Sequence, residues 1–372
     1  MKILIITPRF HTNLYYRVRA LQSAGHEVSL ISFYKGNSEC HDVVEPKIIG
    51  YSWCTVFLNR IINLFKKTHL KSFWELKFSI PNIRKLTYHI KEINPDVILL
   101  KDFQSLSELL SLYYAKKFKK KVIMLIQLRK NTLFNSESLF RRYLKLLSYL
   151  GVVYFVSPTK EGEHILKNSG VRNVSHIPFV IDTKDFKKSY VSENTIRILS
   201  IGKFVPRKDH ITLLRAISRL KNKYNIELTL VGERADAAYL RGVYDFIRAE
   251  YLNEFVQIKF NLDYKESLDE YKKNDLFILP SYDEPAAYSL VEAMAAQLPV
   301  ICSDDCGTKC YIKEGENGYI FKNKNYKDLA QKIELIIKDR NYLSEMGQKS
   351  FSMVHTHHSL DFFNQEFSKI IQ

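Results

Sequence analysis

The stretch "PSYDEPAAYSLVEAMAAQLPV", residues 280–300, decides how this chain is read. Before it lies "DLFIL" (275–279), a short apolar run stopped by Pro280 and Ser281, and its end runs into a second one, "LPVICS" (298–303). Between the two, "PAAYSLVEAMAAQ" is rich in Ala, Leu and Met, with Pro285 at a position suited to a helix start. The order is strand, loop, helix, strand. Glu284 then falls in the loop at the carboxyl end of a strand, and Glu292 about two helical turns further on. In an open α/β sheet that edge is where ligands bind. Two carboxylates there can accept hydrogen bonds from a polyol. Spacing alone fits a loop glutamate and a solvated helix glutamate equally well.

Working outward, the same rhythm fills the chain. The first half offers "KILIITP" (2–8), a helix around 13–24 closed by Gly25, "HEVSLISF" (26–33), "DVILL" (96–100), a helix near 104–117, "KVIMLIQ" (121–127) and "GVVYFVS" (151–157). The pattern restarts with "TIRILSIG" (195–202), a helix near 209–223, "IELTLVG" (226–232), a helix near 238–249 and "FVQIKF" (255–260). Short apolar strands alternating with helices predict parallel sheets wrapped by helices. The fold class is therefore α/β, with two Rossmann-like domains facing one another across a cleft.

Charge divides the chain at the same place. Residues 1–186 carry 29 Lys and Arg against 14 Asp and Glu, a balance of +15, whereas residues 187–372 carry 27 against 26, a balance of +1. With the polar stretch "DTKDFKKSYVSEN" (182–194), this sets expected domains at 1–186 and 187–352. An amphipathic C-terminal segment, 353–372, is expected to pack back on the first domain. A field confined to one half suits an anionic partner such as a membrane surface, a nucleic acid or a phosphorylated substrate, or reflects a lysine-rich solvated surface. The segment "WCTVFLNRIINLFKKTHLKSFWELKF" (53–78) sharpens this. As a helix it places Phe57, Ile61, Leu64 and Phe65 on one stripe, with Arg60, Lys66 and Lys67 largely outside it. That suits a membrane surface or an ordinary amphipathic core helix.

Several classes are disfavoured. The apolar run of "MKILIITPRF" is too short for a signal peptide, and no window reaches the length of a spanning helix, so a cytoplasmic protein, peripheral on the membrane face, is expected. Five cysteines do not make a disulfide framework. Cys302, Cys306 and Cys310 are spaced by four, but Cys302 falls in a strand, Gly307 interrupts any shared helix, and no His lies close by, so no metal site is expected. No G-x-G-x-x-G follows the first strand, which argues against NAD or FAD.

Phosphate chemistry is better placed in the second half. In "SIGKFVPRKDHITLLRAI" (200–217), Gly202 ends a strand, Lys203, Arg207 and Lys208 occupy the following loop, and Asp209 is set to cap a helix. Cations at that edge can neutralise a diphosphate leaving group. The helix after Glu284 adds free amides near Tyr288, Ser289 and Leu290. Cations and amides for phosphates, beside carboxylates for hydroxyls, describe a sugar nucleotide.

At this point "GKFVPRKDHITLLRAI", "LTLVGE", "LPSYDEPAAYSLVEAMAAQLPVICSD" and "GENGYIF" (315–321) resemble the retaining GT-B glycosyltransferases of the family-4 type, also called group 1. The resemblance covers residues 198–321 in order, including the family's Glu, seven residues, Glu pattern. It implies Glu292 on the ribose hydroxyls, Glu284 beside the donor sugar, the Ser289 and Leu290 amides on the distal phosphate, and Lys208 as the phosphate-binding lysine. Lys203 stands where the family commonly has Arg, keeping the charge without the bidentate fork. Glu233 and the backbone around Phe260–Leu262 lie where the base is usually held. The first half resembles the family only in rhythm: the glycine-rich loop after the first strand is absent, and Gln127 stands where many members have His. Arg9 and His11, on the first loop, are acceptor-side candidates with Gln127, although a single loop His is more often structural. The resemblance further implies a UDP-sugar donor, with GDP second, a glycan or lipid-linked acceptor in surface-polysaccharide assembly, and no cofactor or metal. A sugar-nucleotide epimerase on the same architecture, or a basic membrane- or RNA-binding scaffold, would account for parts of the pattern. The first lacks acid/base groups in the first half, and the second leaves the ordered motifs idle.

Overall fold

Short, mostly apolar segments form the strands, and among the described residues every pairing between them is parallel. The computed structural model describes residues 1–10, 12–36, 41–64, 78–101, 105–128, 137–186 and 194–371. The chain divides into two compact units, Met1–Pro178 with Phe363–Gln372, and Phe179–Phe362.

The first unit holds a seven-stranded sheet. Its strands are β1 (Lys2–Thr7), β2 (Glu27–Ser32), β3 (Lys47–Ile48), β4 (Val97–Lys101), β5 (Lys121–Leu125), β6 (Val152–Ser157) and β7 (Val174–His176), in the order β3-β2-β1-β4-β5-β6-β7. The two-residue β3 and three-residue β7 at the edges escape sequence reading, being too short to show a period. The Leu360–Ile371 helix begins in the second unit and ends in the first. Within the first unit, Phe363 packs under the Arg17 guanidinium and Asn364 donates to the Ser23 hydroxyl.

The second unit holds a six-stranded sheet of β8 (Ile196–Ile201), β9 (Ile226–Gly232), β10 (Val256–Phe260), β11 (Leu276–Leu279), β12 (Val300–Ser303) and β13 (Gly318–Phe321). Their order is β10-β9-β8-β11-β12-β13. Strand order reverses between β8 and β11, so the loops leaving those two strands diverge and open a crevice at the carboxyl edge. Gly202–Lys208 follows β8 and Pro280–Glu284 follows β11, which brings the two motifs of interest to the same switch point. Leu213, Leu214 and Ile217 of the His210–Leu220 helix pack on Ile198, Leu228 and Leu230 beneath them.

The helix after Glu284 differs from expectation. It spans Tyr288–Ala295, three residues beyond Pro285, with Ala287 in extended backbone as the cap. The loop extends through Pro285–Ala287 because Glu284 is tied down by a bridge to Cys306, with the Gly307 amide donating to the Glu284 carbonyl. Part of the 53–78 expectation lies outside the described residues, including Phe65, Lys66 and Lys67. What is described is a helix at Trp53–Leu64 that buries Thr55 and exposes Trp53 and Phe57, stacked on one another. No helix among the described residues is long and apolar enough to cross a membrane.

Candidate functional site

Asp209 organises the first loop. It sits in the left-handed region (φ 46°), where Asp is one of the few residues tolerated without great cost, and caps the His210–Leu220 helix through the Thr212 amide and hydroxyl. That turn points Arg207 and Lys208 back over β8. Lys208 lays its aliphatic stem against Gly202, where an added Cβ would come within 3.1 Å of it. Gly232, at the end of β9, is closer still: its Cβ would lie 2.0 Å from the Gly202 carbonyl oxygen. Gly232→Ala is therefore expected to separate the two strand ends and cost about 3 kcal/mol in denaturant unfolding. An unchanged midpoint would contradict this packing.

The centre of the site is a carboxylate held by two cations. Arg207 Nη1 and Lys208 Nζ each donate to Glu284 Oε2 at 2.6 Å. Glu284 is 7% exposed. Burial alone would push its carboxyl up; the charges of Lys208 and Arg207, with their hydrogen bonds, outweigh that and hold it below the usual carboxylate range. Glu284 is thus an anion at neutral pH. The loop is braced from below, where the Asp283 amide donates to Asp305 Oδ2 and the Tyr282 amide to the Arg207 carbonyl.

Glu292 has the opposite electrostatics. It is buried, with no cation on it among the described residues, and Tyr271 donates to its Oε2 at 2.8 Å. Burial pushes the carboxyl up to about 7, with hydrogen bonding from Tyr271 and Tyr264 pulling the other way. The two glutamates of the 280–300 stretch therefore differ: one is held ionised, the other is balanced near neutrality.

The remaining candidates fall into distinct places. Lys203 pairs with Glu233 at 2.6 Å, both half-exposed, rather than with Glu284. Arg234, beside Glu233, lies 4.1 Å over the Phe260 ring, which also packs on Phe204. Phe204 in turn stacks on the buried His210, whose imidazole is held neutral, its pKa lowered to about 3 by burial and the nearby Lys208 charge. Leu262 is half-buried two residues beyond β10. Tyr288 donates its hydroxyl to the Val180 carbonyl, so that phenol serves packing within its own unit, and Leu290 is fully buried. The amides of Tyr288, Ser289 and Leu290 open a helix whose Ala287 cap has no side-chain acceptor, whereas Asp209, Asp236 and Asp263 cap theirs. In the first unit, Arg9 follows β1 and Gln127 follows β5, on strands separated by β4; His11 lies outside the described residues. Among the described residues no three His, Cys, Asp or Glu cluster as metal ligands.

Sequence reading missed Tyr271 and Arg234. Tyr271 shares one face of the Tyr264–Lys273 helix with Leu268, so its i, i+3 spacing marks it as a core residue, and only its hydroxyl reveals a partner. Arg234 is adjacent to a singled-out residue but carries no motif of its own.

Residues 182–353 match the family profile described as glycosyl transferases group 1. The second unit is a group 1 glycosyltransferase domain. Relatives match over part of the chain: Protein CapJ of Staphylococcus aureus is 28% identical over 179 residues, 47% of this chain and 42% of its own. The lipopolysaccharide core biosynthesis glycosyltransferase LpsE of Rhizobium meliloti is 27% identical over 156 residues, 41% of this chain and 44% of its own. The chain thus spans less than half the length of these curated relatives. Solved structures match throughout. A glycosyltransferase from Rickettsia africae superposes with a TM-score of 0.75 at 17% identity, over 100% of this chain and 97% of its own. Anabaena Alr3699/HepE, solved in complex with UDP, gives 0.76 at 13% identity over 99% of each chain. At these identities the likeness establishes the two-domain GT-B fold, and within the matched residues Glu284 stands in the loop at the carboxyl-edge switch point and Glu292 on the helix that follows it.

Proposed function

We propose that this protein is a glycosyltransferase that moves a hexose from a nucleoside-diphosphate sugar to an acceptor hydroxyl with retention of anomeric configuration. The observation that carries this reading is the Glu284–Arg207–Lys208 cluster at the switch point of a group 1 domain. Transfer builds negative charge on the departing diphosphate. Lys208 and Arg207, with Lys203 nearby in sequence, supply positive charge, and the first turn of the Tyr288–Ala295 helix, which has no side-chain cap, supplies backbone donors. Glu284 Oε2 is occupied by the cations, leaving its other oxygen to accept from a donor-sugar hydroxyl. Glu292 accepts from the ribose, and Phe260 with Arg234 and Glu233 flanks the base. Charge stabilisation by these cations calls for no metal. Retention then follows a front-face path in which the leaving phosphate helps to deprotonate the acceptor, since a double displacement would need a free carboxylate at the anomeric carbon.

UDP is the first choice of nucleotide and GDP the second; the UDP bound to the Anabaena protein supports that order. The lipopolysaccharide core biosynthesis name of the Rhizobium relative supports an acceptor in surface-glycan assembly, as a glycan or a lipid-linked saccharide. On this reading the basic first unit works at the cytoplasmic face of an anionic membrane, with Arg9 and Gln127 on the acceptor side.

The test is thermal unfolding with UDP, GDP, CMP and ADP, and NAD as control. A ligand at one hundred times its dissociation constant stabilises by about 2.7 kcal/mol. One nucleoside diphosphate is expected to raise the midpoint, with the shift lost in Glu292→Ala and Lys208→Ala. No shift with any nucleotide in folded protein would reject the reading.

A further inference from the structure

Three helices of the first unit, Ile83–Ile93, Leu106–Lys117 and Glu137–Tyr149, pack on its sheet through Leu86, Ile90, Leu112, Ala115, Leu144 and Leu147. Their opposite sides carry an unusual combination. Arg84, Lys85 and Lys91 are exposed on the first helix, Lys116 and Lys117 on the second, and Arg141, Arg142 and Lys145 on the third. Against these eight cations, Glu92 is the one exposed carboxylate among the described side chains of the three helices, and it is taken by Lys47 and His89. Lys85, Lys117, Arg142 and Lys145 pair with no carboxylate among the described residues.

Large apolar side chains stand among the cations. Tyr88 is 61% exposed, Tyr113 50% and Tyr149 74%, and Leu139 and Leu146 are also exposed. Leu139, Arg142, Leu146 and Tyr149 follow one another at three- and four-residue intervals, so they share the outward row of one helix. The Lys116 ammonium lies 4.1 Å over the Tyr149 ring and donates to the Tyr149 carbonyl, fixing that ring in place. Single exposed hydrophobes need no explanation; five in one cationic layer do. Beside the row, where the third helix meets β6, is a cavity of about 400 Å³. Leu144, Val152, Val153 and Phe155 give it apolar walls, and Lys145 and Arg172 line it with positive charge.

We propose that this three-helix face docks the protein on an anionic lipid bilayer. Cations meet the lipid phosphates, Tyr88, Tyr113 and Tyr149 sit at headgroup level, and Leu139 and Leu146 reach the acyl boundary. The cavity offers room for part of one lipid chain beside two headgroup-binding cations. Exposed leucines gain nothing from a nucleic acid, which favours grooves, stacking platforms and hydrogen-bonding side chains. The proposal rests on the reading of the first unit as the membrane-facing half of a transferase, but its test involves no transfer.

Full-length protein is floated with neutral phosphatidylcholine vesicles and with vesicles in which about a third of the lipid is phosphatidylglycerol. Binding is expected on the anionic vesicles, weakened by salt and near zero on the neutral ones. Lys117→Glu/Arg142→Glu/Lys145→Glu should lower the affinity roughly tenfold or more. Leu146→Ser/Tyr149→Ser should remove the part that survives high salt. Wild-type protein that fails to float, or the triple variant floating like wild type, would overturn the proposal. So would loss of binding in Trp53→Ser/Phe57→Ser alone, which would move the contact to the other exposed aromatic pair, or a single-stranded RNA stripping the protein from vesicles at equal phosphate. The nucleotide-induced thermal shift, read in every variant, reports folding and the transferase reading separately.

Discussion

Replacing Glu284 with Gln is expected to cost about 3 kcal/mol of stability and to abolish transfer, and the two losses should be separable. Glu284 is buried and answers two cations on one oxygen. Removing its charge while keeping its volume leaves Lys208, 12% exposed, without a counter-ion. Breaking a buried pair from one side costs about 3–5 kcal/mol; the low end applies because Arg207 remains about a third exposed and keeps part of its hydration. Glu284→Gln/Lys208→Met removes the stranded charge and should recover much of the stability without recovering activity, since the cation facing the leaving phosphate has gone. Lys208→Met alone should lower turnover about 100-fold or more, the scale for deleting one group that stabilises developing charge.

The same cluster gives a sharper outcome. If Arg207 and Lys208 hold the diphosphate, a nucleoside diphosphate supplies the negative charge that Glu284→Gln lacks. The variant should then gain more stability from saturating nucleotide than the wild type does. Equal gains would mean that the phosphates bind elsewhere, and the double variant read by the same melt guards against a general unfolding effect.

The acid side of the stability curve follows from the same pair. Glu284 has its folded pKa depressed, so its contribution is complete above the ordinary carboxylate pKa and is lost as pH falls through the lower folded value. Acid unfolding should therefore begin earlier in Glu284→Gln, where that contribution is already missing.

The fold was legible because its signals are local. The strands of the second sheet are short and mostly apolar, β11 without interruption and β8 and β9 with polar residues on the way, and Asp209 is recognisable as a cap from its place after a basic loop. The two glutamates were legible as residues but not as a pair with opposite electrostatics. That contrast arises from what the rest of the fold brings to each: Arg207 and Lys208 come from a loop about eighty residues earlier to meet Glu284. Tyr271 reaches Glu292 from the Tyr264–Lys273 helix, which precedes β11 in the chain and packs on the helix that carries Glu292. Lys203 was legible as a loop cation but not in its pairing: the loop after β9 delivers Glu233 to it. Strand order, which fixes these meetings, leaves no mark within a segment of ten residues. The three-helix face was hidden for the same reason, because its cations and tyrosines are spread over 84–149 and share a surface only after the helices pack.

Glu292 should make both stability and nucleotide binding depend on pH near neutrality. Its folded pKa, about 7, lies above the ordinary value of 4.5. A group shifted in that direction contributes stability fully below the unfolded pKa and loses it as pH rises through the folded one. Between about pH 5 and 7 the folded chain holds one proton that the unfolded chain has released, so stability should fall by about 1.4 kcal/mol per pH unit from this group. Glu292→Gln should flatten that slope. Ligand binding runs the other way: a ribose that donates two hydroxyl hydrogen bonds needs the ionised carboxylate, so affinity should rise as pH passes through 7. Tyr271 sets where that happens. Its hydroxyl stabilises the anion, and Tyr271→Phe removes the bond while keeping the buried ring. The midpoint of the binding curve should therefore move to higher pH in Tyr271→Phe, with affinity well above that midpoint nearly restored. Calorimetric titration across pH 6 to about 9 reads both quantities. An affinity lowered equally at every pH would make Tyr271 a packing residue only, and a curve without any inflection in the wild type would place the ribose away from Glu292.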